Sequence, residues 1–279
     1  MKEPVDKTLI PFFFQYQKLN SIADEYKKDY LSAFPFPHCV IDNFLDENIA
    51  EAVLKEFPGP KDIQWITYDG HQDKKLESKN ESELSPFLKQ FLNELNSSAF
   101  IKFLEKVTGI SGLIPDPHFF GGGLHQIERT GFLKIHADFN YQPKLKLDRR
   151  INVIIYFNKN WKEEYSGHFE LWDKNMKKCE KKVLPIFNRC VIFNTTDFSF
   201  HGHPEPLNCP QGETRKSIAL YYYTNGRPSN ESSTLHSTLF QTRPGEVKKL
   251  SKREIIKSLF PPILWTVGRS IKNKLLPET

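Results

Sequence analysis

The chain has 279 residues, enough for one large domain with an extension or for two small domains. A hydrophobic content of 38%, with 13% aromatic residues, excludes a largely disordered chain. The net charge of +5 is modest, and no zinc-finger, helix-turn-helix or RNA-binding pattern is present, so we expect no nucleic-acid partner.

The N-terminus and the cysteines indicate where the protein works. The apolar run at residues 9–14 is interrupted by Pro11, and no stretch approaches the roughly 20 apolar residues of a membrane-spanning helix. The four cysteines are widely spaced and form no C-x-x-C pair, which favours reduced thiols over disulfides or a zinc knuckle. We therefore expect a soluble, cytoplasmic protein.

The first third of the chain has helical patterns. Apolar residues recur at helical spacing over residues 19–30, and a short strand is expected at residues 38–42. Asp46 is a plausible N-cap of the next helix, and Ser85-Pro86 predicts another helix start. The first of these patterns, at residues 19–30, predicts an N-terminal helical segment at residues 1–34.

A larger domain is expected over residues 35–226, with a helical part at 46–110 that ends at Gly109. After Pro115 the pattern changes to short, β-like apolar runs separated by turn residues. The clearest runs are Ile151–Phe157, His168–Trp172, Cys190–Asn194 and Ser217–Thr224. Strands at this spacing without intervening helices predict an α+β protein with an antiparallel, double-sheet jelly-roll core at 116–226 and the helices packed on one sheet.

The C-terminal tail, residues 227–279, has a different character. Residues 230–241 are expected to be loop, and a capping box at Ser251 and Glu254 predicts a helix that Pro261 breaks. A second helix follows, with a basic face opposite its apolar face. One interpretation is peripheral contact with a membrane surface, or with a partner in glycan or lipid assembly; the other is a helix packed back on the domain.

A metal-binding pattern lies in the β-like region. His136 and Asp138 are two residues apart, so on a strand both side chains point to the same face. Because H-x-D also occurs by chance, the alternative is an ordinary surface strand. A second histidine downstream, His201 or His203, would complete the two-histidine, one-carboxylate set that suits Fe(II).

An anion-binding pattern follows the second histidine. Arg215 and Ser217 begin an apolar strand and share one strand face. A 2-oxo acid that chelates iron needs a cation for its far carboxylate, and the planar fork of arginine binds both carboxylate oxygens. Without the metal set, Arg215 would be interpreted as a surface arginine.

Together, His136-x-Asp138, His201 and Arg215-x-Ser217 resemble the 2-oxoglutarate/Fe(II) oxygenase superfamily, in particular its prolyl 4-hydroxylase-like branch. The resemblance extends over about residues 35 to 225 and includes the segments 35–45, 149–158 and 166–171. It favours His201, which precedes a glycine, over His203 as the second histidine ligand. Tyrosines that help to bind the keto acid in some relatives have no clear match before His136.

The resemblance implies a double-stranded β-helix with iron at one mouth. It further implies Fe(II) as cofactor, 2-oxoglutarate and O2 as cosubstrates, and ascorbate as an accessory reductant to be tested. The products would be succinate, CO2 and a hydroxylated substrate, and the catalytic set would be His136, Asp138, His201 and Arg215.

Other residues near the expected pocket allow two interpretations. Tyr156 and Asn152 share one face of their strand, and Tyr156 is either a cofactor-binding residue or a core aromatic. His125 and Gln126 are candidates for positions near the substrate. The basic run at residues 144–150 is interpreted as a solvated loop that would also suit an anionic substrate.

The leading functional hypothesis is an active hydroxylase. Its substrate would be a peptidyl proline in a protein, a glycan or a small metabolite, and nothing in the sequence decides among these. The alternative is a catalytically inactive jelly-roll binding module, against which the complete metal set and Arg215 argue. A cupin dioxygenase would need more histidines and no Arg-x-Ser anchor.

Overall fold

The computed structural model describes residues 12–228, 231 and 234–246. The chain forms two compact units, Met1–Arg243 and Pro244–Thr279. The helices predicted after residue 250, with their basic face, lie outside the described residues. No helix within the described part of the chain is long and apolar enough to cross a membrane.

Four α-helices precede most of the strands. They are α1 (Tyr16–Ser32), α2 (Glu47–Glu56), α3 (Pro86–Leu95) and α4 (Ser98–Thr108). The strands are β1 (His38–Ile41), β2 (Trp65–Asp69), β3 (Asp73–Ser78), β4 (Ile114–Pro115), β5 (Gly123–Glu128), β6 (Phe132–Ala137), β7 (Tyr141–Gln142), β8 (Leu147–Tyr156), β9 (Phe169–Trp172), β10 (Cys179–Val183), β11 (Arg189–Asn194), β12 (His201–His203), β13 (Thr214–Thr224) and β14 (Leu239–Phe240).

The helix boundaries follow local signals in the sequence. The Ser85 hydroxyl accepts a hydrogen bond from the Leu88 N–H at 3.3 Å, and Pro86 occupies the first turn of α3. Helix α4 ends at Gly109, whose φ of +72° is left-handed, as glycine allows. Asp46 precedes α2 as predicted, but its carboxylate makes no cap and instead pairs with Lys18.

The strands form a double-stranded β-helix, as predicted. They follow the order β1-β11-β8-β13-β5-β3-β6-β12-β9-β10, and all pairs are antiparallel. One large core joins the inner faces of α1 to α4 to the β1-β11-β8-β13-β5 side of the sheet. Phe91, Phe100, Ile155 and Tyr222 are all fully buried there. The helices therefore support the layer that carries Arg215.

The expectation that residues 46–110 are helical is wrong in part. The hairpin β2–β3 occupies residues 65–78 and continues the sheet next to β5 and β6. Trp65, Ile66 and Tyr68 favour strands, but β2 lacks a regular alternation of buried and exposed residues because its side chains are intermediate or exposed. The usual period-2 signal is therefore weak in this segment.

A second difference lies in residues 230–241, which were expected to be loop. Leu239 and Phe240 pair with Ala137 and His136 of β6, and the Gln241 N–H donates to the Ile135 carbonyl at 2.8 Å. This C-terminal part of the first unit therefore lies directly beside the predicted metal site.

Candidate active site

Three side chains predicted to bind a metal converge in the cavity. His136 is the penultimate residue of β6, and Asp138 directly follows that strand. His201 begins β12, which pairs with β6 so that His201 lies opposite His136. The Nε2 atoms of His136 and His201 lie 3.4 Å and 3.5 Å from the Asp138 carboxylate oxygens. One ligand atom from each residue lies within 4.8 Å of the other two, so all three could contact one ion.

Hydrogen bonds set the orientation of both imidazoles. His136 Nδ1 lies 2.8 Å from the Lys134 carbonyl oxygen, and His201 Nδ1 lies 2.7 Å from that of Ser199. Because a carbonyl only accepts, each Nδ1 carries the proton and each Nε2 keeps a lone pair for a metal.

The charges of the three residues also fit a cation. Burial would raise the pKa of the Asp138 carboxyl, but Arg149, His201 and His136 together outweigh burial and hold that pKa well below its usual range. Burial lowers the pKa of His201 to about 4, although Asp138 opposes the shift. An ionised carboxylate and a neutral imidazole are the forms that bind metal, and this donor set suits Fe(II).

Arg149 and Asn152 hold the Asp138 carboxylate. Asn152 Nδ2 donates to Asp138 Oδ2 at 2.7 Å, and Arg149 Nη2 lies 3.0 Å from the same oxygen. Arg149 also donates to Asn152 Oδ1 from Nε and Nη2. The Arg149 guanidinium carbon lies 3.4 Å from the ring centroid of Tyr221 and 4.4 Å from that of Phe139.

The interpretation of residues 144–150 as a solvated loop is therefore wrong at its end. Arg149 and Arg150 belong to β8 and are both buried. Arg149 faces the cavity, whereas Arg150 pairs with Glu231 at 3.0 Å. The resemblance already included segment 149–158, but no local pattern indicated the ion-pair partners of Arg149 and Arg150.

Arg215 lies at a second position in the same cavity. Its Nε donates to the Gly167 carbonyl at 2.9 Å, and its Nη2 donates to the Tyr156 hydroxyl at 3.3 Å. The side chain is buried and has no carboxylate partner among the described residues. A buried guanidinium without a counter-ion is suited to an anionic ligand.

The remaining candidates divide between the two faces of their strands. Ser217, Tyr156, Asn152 and His125 line the cavity, as does His203.

Gln126 points away from the cavity, so its expected position near the substrate is wrong. Its amide nitrogen Nε2 donates to the Pro58 carbonyl at 3.2 Å, and its Oε1 accepts from the Thr214 hydroxyl at 2.7 Å. The reason is strand alternation: neighbouring residues of β5 face opposite sides of the sheet.

The metal-binding residues and Arg215 share one cavity of about 560 Å³. Aromatic side chains surround it, including Phe119, Phe139 and Phe240, and the β2–β3 hairpin contributes Tyr68 and Lys75. The Phe240 ring lies 5.5 Å from the His136 ring. The sequence did not point to the hairpin or to Phe240, because both come from segments without a recognisable pattern.

Comparison with known proteins agrees with this geometry. Residues 122–223 match the model of the 2OG-Fe(II) oxygenase superfamily. The mouse protein prolyl 3-hydroxylase OGFOD1 is 28% identical over 197 residues, which are 68% of this chain. The chain spans only 33% of the length of that relative.

One solved structure supports the fold, and a second matches more weakly. A prolyl hydroxylase from Trichoplax adhaerens, in complex with a hypoxia inducible factor peptide fragment, matches with a TM-score of 0.53 at 19% identity and covers 75% of this chain and 92% of its own. A Pseudomonas putida prolyl-4-hydroxylase matches with a TM-score of 0.49 at 13% identity, over 73% of this chain and 99% of its own. Residues 122–223, which contain His136, Asp138, His201 and Arg215, therefore match the 2-oxoglutarate/Fe(II) oxygenase superfamily.

Proposed function

We propose that the protein is an Fe(II)- and 2-oxoglutarate-dependent dioxygenase that hydroxylates a prolyl residue of a protein or peptide. The observation that carries the proposal is the shared cavity, in which three convergent metal-binding side chains lie together with a buried arginine that has no carboxylate partner. A 2-oxo acid is a ligand that needs both features at once, because it combines a metal-chelating end with a distant carboxylate.

His136, Asp138 and His201 would hold Fe(II). The bound iron and keto acid would supply the oxidising chemistry that inserts one oxygen atom into a substrate C–H bond. Three protein ligands leave positions open for cosubstrate and oxygen. Asn152 and Arg149 keep the Asp138 carboxylate ionised and oriented before the metal arrives.

Arg215 would bind the far carboxylate of 2-oxoglutarate. Its Nε is held by the Gly167 carbonyl and its Nη2 by the Tyr156 hydroxyl, so the guanidinium is oriented before a ligand binds. This arrangement reduces the entropy lost on binding.

A protein-borne proline is supported by the relative named prolyl 3-hydroxylase. Aromatic side chains on the cavity wall agree with it: Phe120 is 48% exposed, and Phe139 and Phe240 also line the cavity. An apolar five-membered ring can pack against such a surface.

Succinate production tests the reaction. Purified protein is loaded with Fe(II) and 2-oxoglutarate without oxygen, and succinate is measured after air is admitted, with and without proline-containing peptides. We expect succinate from the wild type and none above background from His136→Ala. His38→Phe is the matched control, because His38 is also buried but lies outside the cavity.

The product identifies the substrate class. A peptide that gains one oxygen atom at proline, with no gain when that proline is replaced by alanine, supports the proposal. Succinate that forms at the same rate without any peptide would favour a glycan or small metabolite. A wild type that binds Fe(II) but neither binds 2-oxoglutarate nor makes succinate would refute the dioxygenase and favour a binding module.

A further inference from the structure

Strand β2 has one unpaired edge beside the active-site cavity. It pairs with β3 on one side, and no other described strand pairs with it. Its residues are exposed or only partly buried, and Ile66 is 38% exposed. Ile66 and Tyr68 nevertheless line the cavity that the metal-binding residues share. An exposed strand edge with apolar side chains is a site at which another extended segment can pair.

Hydrogen bonds in the hairpin show which backbone groups of β2 point toward β3. In an antiparallel ladder, alternate residues exchange both backbone hydrogen bonds with the opposite strand, and the residues between them face away. The Gly70 N–H donates to the Asp73 carbonyl at 2.8 Å, and this pair continues the register of β2 with β3. By alternation, the backbone groups of Tyr68 and Ile66 also point toward β3.

The other side of β3 agrees with this assignment. The Lys134 N–H of β6 donates to the Gln72 carbonyl at 2.9 Å. Even-numbered residues at the start of β3 therefore face β6, and odd-numbered residues face β2. The unpaired side of β2 consequently carries the N–H and C=O groups of Trp65, Thr67 and Asp69. These groups are called the outer edge below.

The side chains of β2 alternate in step with its backbone. Ile66 and Tyr68 face the cavity, and their backbone groups point toward β3, whereas those of Thr67 point outward. In an added antiparallel strand, directly opposed residues face the same side of the sheet. A residue of the added strand opposite Ile66 or Tyr68 would thus face the cavity and keep its own N–H turned away from β2.

This geometry suits a proline. Proline has no N–H, so in a sheet it is confined to positions that do not donate to the ladder. An antiparallel strand on the outer edge offers such positions on the cavity side, opposite Ile66 and Tyr68. In a parallel strand, each residue on the cavity side would have to donate to β2, which a proline cannot do. The outer edge therefore accepts a proline on the cavity side in the antiparallel direction.

We propose that the outer edge of β2 binds the substrate peptide as an added antiparallel strand, with the target proline opposite Ile66 or Tyr68 and its ring in the cavity. This inference rests on the proposed prolyl hydroxylase function and names the surface that recognises the peptide. Main-chain hydrogen bonds to Trp65, Thr67 and Asp69 supply affinity that does not depend on the side chains of the peptide.

Two substitutions at one position test the outer edge. Thr67→Pro removes an outward N–H and places a ring on the edge, yet it removes no hydrogen bond to β3. Thr67→Val keeps the N–H and the branched side-chain shape. The probe is a pool of short synthetic peptides with one fixed proline and randomised flanking residues. Hydroxylation of the pool is measured by mass spectrometry, together with the succinate formed without peptide.

Thr67→Pro should lower kcat/KM for the pool at least about tenfold relative to Thr67→Val, because it removes a hydrogen bond and blocks the approach of the added strand. Thr67 lies outside the cavity. The affinity for 2-oxoglutarate and the succinate formed without peptide should therefore stay within about twofold of the wild type in both variants.

Backbone methylation of the peptide tests the register with the wild-type protein. The best substrate of the pool is remade with a single N-methyl group at each residue in turn. Methylation of either neighbour of the proline should lower kcat/KM at least about tenfold, because these N–H groups would donate to the outer edge. Methylation two residues from the proline should change kcat/KM by less than about twofold. This comparison decides the question even if Thr67→Pro does not fold.

Three results would overturn the inference alone. The first is equal hydroxylation of the pool by Thr67→Pro and Thr67→Val, and the second is a set of methylation losses that does not alternate. The third is a wild-type dimer that Thr67→Pro converts to a monomer in sedimentation, which would assign the outer edge to a second copy of this chain.

Other results would overturn the proposed function, and this inference with it. A wild type that makes succinate but hydroxylates no proline in the pool would refute the prolyl substrate. A wild type that neither binds 2-oxoglutarate nor makes succinate would refute the dioxygenase itself.

Discussion

Replacing Arg149 by methionine should strongly destabilise the metal-free protein. The Arg149 side chain is 1% exposed and Asp138 is 11% exposed, so water screens this ion pair very little. Removal of one partner of a buried ion pair costs about 3–5 kcal/mol, because the other charge stays buried without compensation. The lost contacts with the Tyr221 and Phe139 rings add to this cost, and sulfur–aromatic contacts of methionine offset part of it.

Arg150→Met is the matched control. Arg150 is the next residue of the same strand, but its partner Glu231 is 32% exposed. Exposed ion pairs contribute about 0–1 kcal/mol. The two variants remove the same side chain from adjacent positions. The difference in their free energies of unfolding, at least about 2 kcal/mol, therefore reports the buried pair together with the ring contacts of Arg149.

The assay is urea unfolding with a chelator present, followed by circular dichroism. Asp138→Asn combined with Arg149→Met should be more stable than Arg149→Met alone, because the buried charge is gone. Equal losses for Arg149→Met and Arg150→Met, or no recovery in the double variant, would refute this account of Arg149.

Four further results are expected. Gly167→Ala should weaken 2-oxoglutarate binding at least tenfold by calorimetry, because Gly167 has φ +77° and an added Cβ would lie 3.1 Å from Arg215 Cδ; wild-type affinity would contradict this. Arg215→Lys should also cost at least tenfold in 2-oxoglutarate affinity but leave Fe(II) affinity unchanged, since lysine cannot bind both carboxylate oxygens. Burial lowers the pKa of His125 below its ordinary value of about 6.5, so the unfolded chain takes up that proton first and stability falls with acidification below that pH. In metal-free urea titrations, His125→Phe should therefore lose up to about 2 kcal/mol less than the wild type between pH 7 and pH 5, and an unchanged pH profile would be inconsistent with a buried neutral ring. Phe240→Ala should destabilise the protein by no more than about 2 kcal/mol, because Phe240 is only partly buried. It should also raise the amount of succinate formed per hydroxylated substrate, because loss of the ring exposes one face of His136. An unchanged ratio of succinate to hydroxylated substrate would refute that role.

The parts of the fold that the sequence predicted have strong local signals. Ser85-Pro86 and Gly109 mark helix ends through local capping, and the apolar run 151–157 is a buried strand whichever strands flank it. The pair His136 and Asp138 was visible because strand geometry alone puts them together. Each of these predictions depends only on neighbouring residues.

The parts that were missed depend on contacts between distant segments. Arg149 is held in place by Asp138 and by the Tyr221 ring. Tyr221 comes close to Arg149 because β13 pairs with β8. Gln126 and His125 lie on opposite faces of β5. Because both faces of this strand are buried, its sequence shows no alternation of polar and apolar residues that would predict which face meets the cavity. The β2–β3 hairpin was missed for the opposite reason, since its exposed side chains leave no apolar pattern.

The pairing of β14 with β6 has a practical consequence for fragments of this protein. The matched family region ends at residue 223, but a fragment cut there would lose the Gln241 N–H that binds the Ile135 carbonyl and the partners of His136 and Ala137. The metal-binding strand would then present an open edge, which can recruit strands from other molecules and promote aggregation. A fragment intended for metal titration or crystallisation should therefore extend through Arg243, where the compact unit ends.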